Sequence, residues 1–356
     1  TPYDSLQQLG YFFIVFIAAP LMIVTGPVMS PAVVGRFPWY AKMFGGRQVA
    51  RSLHFLGMAL YLAFAVVHVG LVFIVHAPHN LTHIVFGHDD PNRVGQAYVT
   101  VIATIIVAVA LWLAQSYWTL ADLRRSQRIL WNATRWIRRV TVDRLASRQS
   151  IAQPWTEKDI SPFHWVNTRT PSREESPEYH ELAANDFRDF RLEVSGMVSR
   201  PATFSLDELR EIATQSQITM HTCMQGWTGI AKWTGIRVRD LLGQVGDIAP
   251  EAGWVMFESF GMAQHMHDGR PVEPYYTCLP LAMAMEDDTL LAWARNDEPL
   301  SGMFGAPLRL RCETGHGYKM VKWVRSVSLI RDYREVGDGM GGTREDSGYQ
   351  DVNARI

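Results

Sequence analysis

Three apolar stretches crowd the first 121 residues: Tyr11 to Val34, Ser52 to about His76, and Ala97 to Leu120. About 20 apolar residues in a helix span the hydrocarbon core of a bilayer, and each stretch is long enough. One such stretch alone could be a buried helix of a soluble protein. Three in close succession read as membrane spans. Pro20 and Gly26 inside the first are tolerable, because neighbouring helices can satisfy the freed backbone groups. The averages for the whole chain, 47 % apolar and a net charge of −1, hide this division. Residues 122–356 read as an ordinary soluble protein of mixed charge.

The cysteines Cys223, Cys278 and Cys312 stand far apart and form no CxxC. That pattern argues against a disulfide framework, a zinc site and an iron–sulfur cluster. No basic segment precedes the first apolar run, so no secretory signal is expected. Nothing in the charge pattern points to nucleic acid.

Basic residues set the expected orientation. Residues 1–10 hold none, and the loop between the second and third spans holds only Arg93. Arg36, Lys42, Arg47 and Arg51 lie between the first two spans. Eight arginines, from Arg124 to Arg148, follow the third. The soluble half is therefore expected on the cytoplasmic side of a bacterial inner membrane. The stretch from Thr119 to Ala146 alternates Leu, Ile and Trp with Arg. It reads either as an amphipathic helix along an anionic lipid surface or as a basic linker.

The second span carries His54 and His68, fourteen positions apart. In a helix that spacing returns to within about 40° of the same face and separates the rings by about 21 Å along the axis. Two imidazoles so placed suit two haems, one near each membrane surface. The plainer alternative is two neutral histidines bonded to adjacent helices. His76, His79, His83 and His88 fall at or beyond the membrane edge and read as a solvated loop, with a small metal site as the alternative.

The runs "LQQLGYFFIVFIAAPLMIVTGPVMSP" and "GGRQVARSLHFLGMALYLAFAVVHVGLVFIVH" resemble the later helices of the b-type cytochrome subunits of formate dehydrogenase, nickel–iron hydrogenase and thiosulfate reductase. The resemblance covers about residues 3–88. It implies that His54 and His68 each ligate a haem b iron, with the quinone pool or another redox partner as electron source or sink. In that family the opposite ligands come from other helices. Here they would come from absent N-terminal sequence or another haem-ligating subunit.

From Phe187 onward the pattern turns to short strands with a few helices, as in a β-rich α+β domain. "RLEVSGMV", "QITMHTC", "GWVMFESF", "TLLAWARN", "APLRLRCE" and "KMVKWVRSVSLI" read as strands, with a turn at Asn296-Asp297. "RVRDLLGQV" reads as a short helix. "SLDELREIA" opens another, with a capping box from Ser205 to Glu208. A cysteine at the end of a strand is more often core than ligand. Its surroundings change that reading. "HTCMQGWTGIAKWTGIRVRDLL", "PYYTCLPLAMAMEDDTLLAWARNDEPL" and "GAPLRLRCETGHGYKMVKWVRSVSLI" resemble, in order and spacing, the sulfite-oxidase-fold molybdopterin enzymes, in the branch of the bacterial sulfoxide reductases. The resemblance implies that Cys223 supplies the one protein thiolate to molybdenum, a role suited to a soft ligand. It implies that Gly317, Tyr318, Lys319 and Arg309, with Lys322 beyond them, hold the pterin and its phosphate. Ser259, Phe163 and His164 fall at further cofactor positions, and Cys278 and Cys312 at core positions. Sulfite oxidases surround the metal with basic residues. Met224, Gln225, Gly226 and Trp227 follow Cys223 instead, so a small neutral substrate is expected.

The expected organisation is a transmembrane cytochrome-b-like domain (1–121), a basic linker and lead-in (122–186), a molybdopterin-binding oxidoreductase domain (187–335) and a C-terminal tail (336–356). The expected function is oxygen-atom transfer on an S- or N-oxide, with electrons exchanged through haem b with quinone. The competing readings are a non-catalytic anchor or assembly subunit and a molybdenum enzyme whose membrane part is only an anchor.

Overall fold

The computed structural model describes residues 5–30, 33–34, 37–140, 155–263 and 273–347. The chain divides into two compact units, Thr1–Ala133 and Thr134–Ile356. Three helices of the first unit are long and apolar enough to cross a membrane: Ser5–Met29, Arg47–Ile74 and Pro91–Ala121. Large side chains along them, such as Phe16, Ile23, Leu62, Ile106 and Trp112, lie exposed. A surface this apolar is stable against lipid and not against water. The first span starts earlier and stops earlier than the hydropathy predicts. Its helix ends at Met29, and Ser30 is extended with ψ 121°. Ser30 precedes a proline, which disfavours helical backbone. Within this span Phe13–Ala18 is π-helical. Pro20 has no N–H for the carbonyl four residues back, and the wider turn accommodates it.

Beyond the third span, Leu123–Val140 is helical. Residues 141–146 of the predicted amphipathic stretch lie outside the described residues.

The second unit is built on ten strands. They are β1 (Leu192–Gly196), β2 (Ala202–Phe204), β3 (Gln215–Thr222), β4 (Thr228–Arg237), β5 (Trp254–Met262), β6 (Pro274–Pro280), β7 (Thr289–Arg295), β8 (Glu298–Pro299), β9 (Arg309–Cys312) and β10 (Val324–Ile330). One sheet runs β2-β1-β10-β5-β6. The other runs β3-β4-β7-β8, with β9 also on β7. In β1 the alternation buries Leu192 and Val194 on one face, and β10 contributes Val324, Val327 and Leu329. β7 begins with five buried residues, Thr289 to Trp293, as a central strand covered on both faces does. Asn296 and Asp297 take φ of 51° and 66°, the left-handed pair that a two-residue hairpin needs. The Ser205–Glu208 capping box is formed: Ser205 Oγ accepts from Glu208 N at 3.2 Å, and Ser205 N donates to Glu208 Oε2 at 2.7 Å.

Gly235 sits at a bulge where β4 meets β7. A β-carbon there would stand 2.0 Å from the Leu291 carbonyl oxygen and 2.6 Å from Ala292 Cα, both backbone atoms that cannot swing away. Gly235→Ala is expected to destabilise the soluble unit by ~3 kcal/mol, the upper end for overpacking. Gly243→Ala, where the nearest atom would be 3.4 Å away, should be nearly neutral. Urea unfolding of both variants checks the contrast.

Candidate functional site

The β3–β4 hairpin brings Cys223 to a cavity. Its register closes at Thr222 opposite Thr228, leaving residues 223–227 as the loop. Cys223 N donates to Trp227 O at 3.0 Å, and Gly226, at φ 89°, returns its N–H to Cys223 O. The thiol is 6 % exposed. Its sulfur accepts from Asn167 Nδ2 at 3.4 Å and from Gln225 N at 3.5 Å. Burial pushes the thiol pKa up, and these two donors and the Met224 N–H pull the other way. Donors aimed at the sulfur are what a metal-bound thiolate needs. Cys278 and Cys312 are wholly buried in the core, and burial pushes both thiols up, Cys278 to about 12.

The cavity holds about 540 Å³, and Asn167, Cys223, Ser259, Arg309, Gly317, Tyr318 and Lys322 all line it. Ser259 Oγ donates to Lys322 O at 2.7 Å and accepts from Gly261 N at 2.8 Å, bracing two parts of the wall. Lys322 Nζ donates to the carbonyls of Asn167, Thr168 and Met303 at 2.7, 3.0 and 3.0 Å. Burial lowers its pKa to about 7, with Arg309 adding to the effect. Arg309 is lowered to about 9 by burial, then by Arg311. Its Nε has no hydrogen-bond partner among the described residues. Trp323 takes φ 57° and is held by its indole N–H on Gly302 O at 2.6 Å.

The remaining predicted residues lie off the cavity wall. The Lys319 side chain is fully buried. It pairs with Glu345 and donates to Cys278 O and Gly341 O at 3.1 and 3.2 Å, so only its turn, Gly317–Lys319, borders the cavity. Phe163 is 64 % exposed and stacks edge-on against Trp165. His164 is buried behind the wall, against His221, Trp227, Trp233 and Phe304. Residues 165–169 of that stretch line the cavity instead. Asn167 and His221 were not found from sequence. A lone amide in an irregular stretch carries no periodic signal, and His221 reads as one more strand residue.

In the membrane unit, Thr25 Oγ1 donates to Leu21 O at 2.6 Å and lies 2.9 Å from His54 Nδ1. The hydroxyl's one hydrogen is spent on the carbonyl, so its oxygen accepts from His54 Nδ1–H. The Nε2 lone pair is then the one available to a metal. His68 Nδ1 lies 3.2 Å from Tyr11 OH. Outside the spans, His79 pairs with Asp89 at 3.0 Å, and its ring is 4.5 Å from that of His83. Among the described residues no three His, Cys, Asp or Glu side chains gather as a metal cluster.

Comparison with known proteins agrees with this division. Residues 179–336 match the family of the oxidoreductase molybdopterin binding domain, and residues 1–87 match prokaryotic cytochrome b561. A putative protein-methionine-sulfoxide reductase subunit YedZ1 of Azospira oryzae is 33 % identical over 170 residues, covering 48 % of this chain and 57 % of that one. The protein-methionine-sulfoxide reductase catalytic subunit MsrP of Xanthomonas axonopodis is 30 % identical over 148 residues, 40 % of this chain and 46 % of that one. The crystal structure of the sulfane dehydrogenase SoxCD from Paracoccus pantotrophus aligns with a TM-score of 0.36 at 24 % identity, over 43 % of this chain and 42 % of that one. The chain thus spans about half the length of the curated relatives it matches. It joins a cytochrome-b561-type membrane segment to a molybdopterin-binding oxidoreductase domain.

His164 and His221 stay neutral in the fold. Burial is the largest cause for both, followed by Arg309 and Arg311, and His164 is lowered to about 3. An unfolded chain takes up a proton at each near pH 6.5 while the folded one does not. The unfolded state then binds more protons, so stability falls as pH drops below that value. The urea midpoint should be flat above about pH 7 and decline from about pH 6.5 to 5. His164→Phe should shallow that decline, and an unchanged slope would count against the assignment.

Proposed function

We propose that this cytochrome-b561-type segment and molybdopterin-binding domain form one membrane-bound oxidoreductase, which reduces a small neutral S-oxide with electrons drawn from quinol. The observation that carries the reading is the placement of Cys223: of the three thiols it alone lines the 540 Å³ cavity, with two buried cations, Arg309 and Lys322, in the same wall.

The residues present fit a molybdenum–pterin group. Cys223 would give the metal its thiolate. The partnerless Arg309 Nε, within a guanidinium whose pKa burial depresses, suits an anionic phosphate. The Gly317 turn permits close backbone approach: a β-carbon there would stand 2.4 Å from the His221 ring. Bound there, the group supplies two-electron redox chemistry at the metal. Reduction of a sulfoxide consumes two electrons and two protons and releases the sulfide and water. The wall near the thiol is uncharged, with Met224, Gln225 and Trp227 around Cys223 and Met262, Met320 and Trp323 further round. Thioether and indole surfaces favour a substrate of similar polarity over an anion such as sulfite. Arg169 and Arg344 also line the cavity; Glu175 pairs with Arg169 at 2.6 Å, and Arg344 lies over the Tyr275 ring at 5.8 Å. The relatives named as protein-methionine-sulfoxide reductase subunits support methionine sulfoxide as the substrate class.

In the membrane, His54 and His68 would each give Nε2 to a haem b iron, the opposite ligands coming from outside the described helices. The excess of arginine after the third span supports a cytoplasmic soluble domain. Protease added to intact spheroplasts should leave it whole, and digestion there would place the site in the periplasm.

Cys223→Ser should abolish sulfoxide reduction while the protein still folds into the membrane. Cys278→Ala and Cys312→Ala should alter stability alone. Full activity with wild-type molybdenum content in the serine variant would sink the assignment. His54→Ala and His68→Ala should each remove one haem signal from the membrane spectrum. Unchanged spectra in both would make the histidines structural.

A further inference from the structure

Arg311 and Glu313 are buried to 0 and 3 % side-chain exposure, and nothing in the proposed chemistry yet needs them. Arg311 Nε and Nη2 donate to the two Glu313 carboxylate oxygens at 2.8 and 2.6 Å. This two-point fork fixes the guanidinium plane, and Trp233 packs beneath it at 4.3 Å. The remaining terminal nitrogen, Nη1, lies 2.9 Å from His221 Nδ1. A guanidinium has only donors, so the imidazole nitrogen facing it must be the one without hydrogen. Met320 Sδ, 3.2 Å from that nitrogen, brings no hydrogen either. The proton of the neutral ring therefore sits on Nε2.

That edge of the ring faces the cavity-lining turn. A β-carbon on Gly317 would stand 2.4 Å from both Nε2 and Cε1. His221 itself lines the cavity, two residues before Cys223.

We infer that His221 is a cofactor-binding residue, whose Nε2–H is held as a hydrogen-bond donor by the Glu313–Arg311 pair and offered at the Gly317 wall to an acceptor atom of a pterin-class ligand. The inference rests on the molybdopterin reading of this cavity. Glu313 orients Arg311, and Arg311 selects the tautomer; both are positioning residues. A buried ring beside a pocket would need only its shape. This one has its polarity set by two further buried charges.

The test uses the full chain purified from membranes, with molybdenum and released pterin measured per chain, together with the Mo(V) electron paramagnetic resonance spectrum. His221→Phe keeps a flat ring and removes the donor. His221→Gln keeps a side-chain N–H. His221→Phe should retain roughly tenfold less pterin, as expected for loss of one well-placed hydrogen bond. His221→Gln should recover most of it with a shifted spectrum. Protein made in a host lacking molybdopterin should unfold at similar urea concentrations in all three forms. Wild-type loading and spectrum in His221→Phe would overturn the role of His221. Equal losses in both variants, matched by equal destabilisation of the cofactor-free protein, would make the ring structural and overturn it too. A wild-type protein that carries no pterin would instead overturn the reading of the cavity, and this inference with it.

Discussion

Three carbonyl oxygens converge on one buried ammonium, that of Lys322, and the site is assembled around it. The carbonyls belong to Asn167 and Thr168 in the lead-in segment and to Met303 in the loop before β9. Neither segment is part of a sheet ladder, so neither is positioned by regular backbone pairing. An ammonium has three donors and here spends all three. Without it, two irregular segments would be free to leave the wall, and Asn167 would lose its hold on the Cys223 sulfur. The depressed pKa of Lys322 reports the desolvation cost of placing that charge inside the protein. The three carbonyl dipoles offset it only in part.

The same cost recurs around the cavity. Arg309 and Lys322 are buried in the cavity wall and Arg311 is buried near them, and of these Arg311 has the Glu313 carboxylate on its Nε–Nη2 edge. Breaking such a buried pair leaves one charge uncompensated, typically at a cost of about 3–5 kcal/mol. A fold that tolerates further cations nearby is under electrostatic tension that an anionic ligand relieves. Binding of a phosphate-bearing group would then stabilise the domain as well as equip it. The strained φ of Trp323 lies in the same wall, where local strain is held by surrounding hydrogen bonds.

Much of this architecture was legible in the chain. Hydropathy located all three spans, because a bilayer accepts little else over 20 residues. Strand-like runs marked β1, β3, β5, β7, β9 and β10, by alternation where one face is buried, as in β1, and by a short apolar run where both are, as in β7. It passed over β6, which read only as part of a motif, and over β4, whose Gly229 and Gly235 break the apolar rhythm. At the site, the resemblance to the molybdopterin enzymes pointed to Cys223, Ser259, Arg309, Gly317, Tyr318 and Lys322, and all six line one cavity. Lys319 shows the limit of such reasoning. Adjacent residues of a tight turn point in different directions, and its side chain runs into the core to meet Glu345, 26 positions further along. Nothing local in the sequence announces that partner. Phe163 and His164 show another limit: in an irregular segment the register against the cavity is set by contacts such as Lys322, not by periodicity.

The histidines make the last point about what partners decide. His54 and His221 are the same side chain, yet their usable nitrogens have opposite character. Thr25 has spent its hydrogen on Leu21 and can only accept, so it draws the His54 proton to Nδ1 and leaves Nε2 as a lone pair. Arg311 can only donate, so it claims the His221 Nδ1 lone pair and leaves Nε2 carrying hydrogen. The first arrangement suits a metal ion. The second cannot ligate through Nε2 without losing that proton, and suits an acceptor atom instead. Residue type alone would have made both histidines candidate ligands. Counting donors on the neighbouring group separates them: His54 is left with a lone pair to offer, His221 with a hydrogen.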